Sequence, residues 1–123
     1  MIGINAQGTI GNGNHPVCFN YNFARHFCEA IGVDDVNAPL VYLDEVAEGK
    51  RSIIMLTIFV RCALNEGARM AKLDKSYTDD ETGEIISESG YGVLSRLREI
   101  LVSGIPEALV TAATAAVPAK KKA

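Results

Sequence analysis

Hydrophobic positions cluster most densely between Ser52 and Leu64, where Ser52, Thr57 and Arg61 are the only polar residues of SIIMLTIFVRCAL. The stretch falls short of the roughly 20 apolar residues that a bilayer span needs, and Arg51 and Arg61 bracket it. The pattern runs on through Asn65–Lys72 without a turn signal, which predicts a buried helix over about 52–73 rather than a strand. On a wheel of about 100° per residue, Thr57, Arg61, Asn65, Ala68 and Lys72 form one narrow, mostly polar stripe. Ile54 falls in the middle of that stripe and Ile58 on its edge, so the first half of the helix is apolar nearly all round. A helix of this kind is either enclosed by its own domain or completed by a partner. Ile54, Ile58 and Arg61 are therefore the candidate contact residues for a partner or a second protomer.

The rest of the chain reads as short elements around that helix. Ile2, Ile4 and Ala6 alternate, Gly11-Asn-Gly-Asn14 supplies turn chemistry, and Pro16–Phe19 resumes an apolar run; two strands are expected, at about 2–9 and 15–20. Pro16 has no N–H for a ladder, so it should open its strand or lie on an edge. Phe23, Phe27 and Ile31 recur at helical spacing, with Asn20 or Asn22 as cap and Gly32 as stop, predicting a helix over 22–31. Arg25 and Glu29 form a solvated pair on its other side. Pro39 suits the first turn of a helix over 39–48, with Leu40, Leu43 and Ala47 on its apolar face. Residues 74–90 are acidic and turn-rich, and a tight turn at Thr82-Gly83 would make a small hairpin; a loop is favoured over it. Val93, Leu94, Leu97, Ile100 and Leu101 predict a helix over 91–103, and Pro106 starts an alanine-rich one through 116. The last residues, 118–123, read as a disordered basic tail. The expectation is one α+β domain over 1–117, mostly helical with four or five helices and a short N-terminal two-stranded β segment.

Composition bounds the function without naming it. With 123 residues the chain is one domain by prior, and 48% hydrophobic with 22% charged residues is ordinary for a globular protein. A net charge of −3 argues against nucleic acid as a partner, and Tyr21, Phe23 and Phe27 lack the basic surround of a base-stacking surface. Cys18, Cys28 and Cys62 have no paired spacing and read as reduced, buried thiols; with no signal-peptide pattern, a cytoplasmic protein is expected. His26 and Cys28 point about 160° apart on a helix and make no dyad, so a nucleophile would need Cys18 or Cys62 to meet a histidine through folding. No spacing suggests a metal site, and no cofactor is expected. The acidic run at Asp79–Glu84 lacks the alternating ligands of a calcium loop, and the glycine-rich start does not lead a strand into a helix as a phosphate cradle does. No enzyme emerges.

Residues 19–32, FNYNFARHFCEAIG, entered from a short β segment, resemble tail assembly chaperones of long-tailed bacteriophages. Phe19, Phe23, Phe27, Glu29 and Gly32 carry the likeness, and the apolar helix with Asn65-Glu66-Gly67-Ala68-Arg69 extends it, so it covers about residues 15–73. The insertion at 74–90 and the glycine-rich start depart from the pattern. The resemblance implies a non-enzymatic protein of the host cytoplasm that binds the tape-measure protein, recruits tail-tube subunits and self-associates. It also implies a longer product made by ribosomal slippage, for which the codons of Lys120, Lys121 and Lys122 are the candidate run.

Two other classes compete with this one. A structural head–tail connector or minor tail protein would stay in the virion, whereas a chaperone leaves. A small enzyme or ligand-binding domain would work through Cys62 or His15.

Overall fold

The alternation at the start of the chain closes into a hairpin because Gly11 (φ 76°) and Asn14 (φ 51°) adopt left-handed backbone, and the Asn14 N–H donates to the Gly11 carbonyl at 3.2 Å. In the computed structural model, which describes residues 3–35, 37–48, 50, 52–90 and 92–104, strands β1 (Ala6–Ile10) and β2 (His15–Phe19) pair antiparallel. Ala6 faces Phe19 and Ile10 faces His15 across the ladder. Pro16 is the second residue of β2, and in a two-stranded sheet every strand is an edge, as its missing N–H requires. Among the described residues five helices follow: α1 (Tyr21–Ile31), α2 (Ala38–Ala47), α3 (Ile53–Met70), α4 (Asp79–Ser89) and α5 (Gly92–Ser103). The α+β, mostly helical architecture is the one expected. The expected helix over 106–116 and the basic tail lie outside the described residues.

Val17, Cys18 and Phe19 are all buried although successive strand residues point to opposite faces, so helices cover β2 on both sides. The closest cover is α3. A Cβ built on Gly67 would lie 2.3 Å from the Pro16 carbonyl oxygen and 2.7 Å from the Val17 Cα, so only glycine lets the helix lie against the strand's backbone. That contact brings Phe59 into a cluster with Phe19, Phe23 and Phe27, whose ring centroids lie 5.6, 5.2 and 5.3 Å from its own. These are all four phenylalanines of the chain. One comes from β2, two from α1 and one from α3, so the cluster fixes three elements at once. At 4.5–7 Å, such ring pairs add about 0.5–1.5 kcal/mol each beyond their area. On the other strand, Gly104 at the end of α5 abuts Ala6, where a Cβ would come within 2.3 Å of the alanine's own.

Asn20 is the residue that caps α1: its Oδ1 accepts from the Phe23 N–H at 2.9 Å, and Gly32 closes the helix at φ 73°. Arg25 and Glu29 pair at 3.3 Å on the exposed side. Ser52 caps α3 through Met55. The helix ends at Met70 rather than near 73, because Lys72 takes the left-handed conformation (φ 60°) and the Leu73 N–H returns to the Ala68 carbonyl at 2.9 Å.

The segment expected to be an acidic loop or hairpin is corrected to a helix, α4, from Asp79 to Ser89. Thr78 and Glu81 form a reciprocal capping box, and Asp79, Asp80 and Glu81 place negative charge in the first turn, where the helix dipole favours it. Thr82 and Ile85 turn inward, and the Thr82 hydroxyl donates to the Thr78 carbonyl at 2.8 Å. Gly83 sits inside the helix, with open space where a Cβ would be.

Two glycine substitutions should therefore move stability in opposite directions. Gly67→Ala forces a methyl into the β2 backbone and should cost about 3 kcal/mol or more in urea unfolding. Gly83→Ala should stabilise by up to about 1 kcal/mol. A neutral Gly67→Ala would mean that α3 is not seated on β2 in this way.

Candidate functional site

Of the polar stripe, Thr57, Arg61 and Asn65 face away from β2 without facing open solvent, whereas Ala68 is fully buried and Lys72 lies beyond the end of α3. Thr57, Arg61 and Asn65 are half-buried between α1 on one side and the Ser76–Asp80 segment on the other. Two clefts run along it. The first, of about 580 Å³, has Ile54, Thr57 and Ile58 on its floor, Ala30 of α1 on one wall, and Asp79 and Asp80 on the other. The second, of about 370 Å³, lies among His26, Asn65, Arg69 and Ser76. Arg61 borders both clefts.

The three residues singled out from the wheel thus line the same cleft, with different burial. Ile54 is 67% exposed, and Ile53 before it 79%, so the first turn of α3 is bare apolar surface. Ile58 is partly buried and packs on the core. The Arg61 guanidinium donates to Asp79 at 2.6 Å, tying α3 to the start of α4. Below it, the Asn65 side chain holds the α3–α4 connection at both backbone groups of Tyr77, accepting from its N–H at 2.6 Å and donating to its carbonyl at 3.4 Å. The Tyr77 ring is buried against His15, with 3.1 Å between the hydroxyl and Nδ1, and Lys75 lies 4.7 Å over its face. The wall of the clefts is therefore anchored to their floor by side-chain bonds.

Beneath the second cleft lies a charged group that wheel reasoning did not single out. The Glu66 side chain is only 2% exposed. Both its oxygens are engaged: Arg69 donates through Nε at 2.9 Å and through Nη2 at 2.6 Å, and Asn20 Nδ2 donates at 2.6 Å. Asn20 is also the cap of α1, so one side chain joins the start of α1 to the middle of α3. Burial pushes the Glu66 carboxyl up, but the Arg69 and Asn20 hydrogen bonds and the Arg69 charge outweigh it and hold the group below its ordinary value. An Arg three residues after Glu66 was visible in the sequence, but such pairs are usually solvated, and the burial of this one comes only from the tertiary contact with β2 and Asn20.

Cys18 and Cys62, the candidate nucleophiles, are both buried. Burial, reinforced by the Glu66 charge, pushes the Cys18 thiol up to about 11. Cys62 shares the second cleft with His26, and burial pushes its thiol up as well, which is the reverse of activation. The Cys28 thiol donates to the Asp35 carbonyl at 3.1 Å. Among the described residues there is no cluster of three or more metal-ligating side chains, and no helix is long and apolar enough to cross a membrane. No protein-family model, curated protein or solved structure matches the chain.

The Glu66 network generates two expectations. The carboxyl's folded value lies below its unfolded value near 4.5, so its contribution is fully present above that pH and is lost as pH falls through the folded value. Unfolding midpoints followed from about pH 6 to pH 3 should fall, and Glu66→Gln should flatten that acid-side decline; an unchanged slope would contradict the pairing. Asn20→Asp keeps a good cap but replaces the donor to Glu66 with a second carboxylate. It should cost about 1–3 kcal/mol at neutral pH, whereas a role in capping alone would leave stability unchanged.

Proposed function

We propose that this chain is a non-enzymatic tail assembly chaperone of a long-tailed bacteriophage. It acts in the host cytoplasm, binds the tape-measure protein, keeps its long helices soluble and recruits tail-tube subunits; it also self-associates. The observation that carries this reading is the bare apolar turn at Ile53 and Ile54, opening into a groove with Ile58 and Arg61 on its floor. Exposed isoleucines that lead into a concave channel suit helix-in-groove binding, in which an amphipathic client sets its apolar face between two walls. The pattern in residues 15–73 supports the same reading, since its aromatic positions build the core that holds α1 and α3 beside each other.

Co-expression tests it. Wild-type protein should hold a tape-measure fragment in the soluble fraction. Ile54→Asp should release the fragment to the pellet while circular dichroism stays unchanged, because Ile54 contributes little to the fold. Ile58→Asp should lower stability as well, because that side chain packs on the core. Mass spectrometry of purified virions separates the chaperone from a connector or minor tail protein. Trace amounts are expected, and a stoichiometric amount would contradict the proposal.

A further inference from the structure

The glycine-rich turn between β1 and β2 holds chemistry that the α3 clefts do not use. Of the seven asparagines in the chain, Asn12 alone is followed by glycine. Both residues are exposed at the tip of the hairpin, and among the described residues no hydrogen bond holds the Asn12 side chain. Gly13 has no side chain to keep the Asn12 amide carbon away from its own backbone nitrogen. The turn is closed by the Asn14 N–H on the Gly11 carbonyl, with Gly11 at φ 76° and Asn14 at φ 51°.

A base lies on this turn. The His15 ring folds back over it: a Cβ built on Gly13 would lie 2.8 Å from Nε2, and one built on Gly11 3.3 Å from Cδ2, so both glycines leave room for the imidazole. Nε2 is therefore no more than about 5 Å from the Gly13 nitrogen, the span of one bridging water. The other ring nitrogen, Nδ1, is 3.1 Å from the Tyr77 hydroxyl, and Tyr77 is buried with both its backbone groups held by Asn65. A phenol oxygen can accept as well as donate. When it accepts from Nδ1–H, the imidazole lone pair is on Nε2, facing the turn.

We propose that Asn12 is a self-modification site, at which the Gly13 amide closes on the Asn12 side chain with His15 as general base and Tyr77 as the residue that positions it. The Gly13 nitrogen attacks Asn12 Cγ and gives its proton to His15 Nε2. The imidazolium returns a proton to Nδ2, the Cγ–Nδ2 bond breaks and ammonia leaves. Water then opens the succinimide at either carbonyl, leaving aspartate or isoaspartate at position 12. The new carboxylate lines the cavity of about 480 Å³ that Asn12 shares with Ser89 and Arg96. This chemistry is independent of what the α3 clefts bind.

Full-length protein aged at neutral pH, with peptide mass mapping of amide-to-acid conversion and of isoaspartate, provides the test. Folded wild-type protein should convert Asn12 ahead of every other asparagine, and faster than the same chain held unfolded in urea. His15→Gln should slow the folded rate by about tenfold or more and leave the urea rate unchanged, because a positioned base contributes only in the folded turn. Tyr77→Phe, which removes only the hydroxyl, should slow the folded rate as well, and it decides the matter if His15→Gln does not fold. Glu88 is the carboxylate on the same cavity and the rival base, and Glu88→Gln should change nothing. Conversion no faster in the folded protein than in urea would overturn the inference. So would a folded rate that either the His15 or the Tyr77 variant leaves unchanged, or one that Glu88→Gln lowers.

Discussion

The structure depends on a missing side chain. At Gly67 the α3 backbone meets the backbone of β2 with no room for a methyl group, and three other features follow from that approach. Phe59, two turns earlier, arrives among the phenylalanines of β2 and α1. Glu66, the neighbouring residue, is carried under the start of α1, where burying a carboxylate is tolerable only because Asn20 and Arg69 saturate its oxygens. Ala68, on the other side, is fully buried as well. A two-stranded hairpin is marginal in water by itself, and here it is held because a helix lies directly on it.

The same placement turns the opposite side of α3 outward and determines its chemistry. A helix pressed so closely against a strand directs its remaining stripe between its lateral neighbours, α1 and the approach to α4. Arg61 and Asn65 then bind that approach from below, through Asp79 and the Tyr77 backbone. The polar residues of the stripe are thus partly consumed in building the wall. What is left unsatisfied is the apolar first turn at Ile53 and Ile54.

Much of this was legible from spacing. Phe23 and Phe27, the Gly32 stop, the hairpin turn and the apolar face of α5 all use local rules whose residues stand next to one another. The stripe on α3 was legible from Thr57 to Asn65, with Ile54 exposed beside it, but Ala68 proves to be core and Lys72 lies past the helix end. What spacing did not disclose is what flanks the stripe, because His26, Ser76 and Asp79 reach it only through the tertiary fold. Among the described residues, the misread element was α4. Its acidic composition and Gly83 suggest a loop, yet Thr78 and Glu81 stand at capping-box spacing, and local capping with inward Thr82 and Ile85 outweighed a single glycine. Gly67 was visible only as part of a motif; that it meets β2 is a long-range fact.

Methyl NMR of isoleucine-labelled protein, titrated with a soluble tape-measure fragment, distinguishes the Ile54–Ile58 side of α3 from every other surface as the seat of the proposed client. The Ile54 and Ile58 methyls should shift and broaden first, while those of the buried Ile10 and Ile100 stay in place. Shifts confined to Ile10, Ile85 and Ile100, with Ile54 unmoved, would put the client elsewhere.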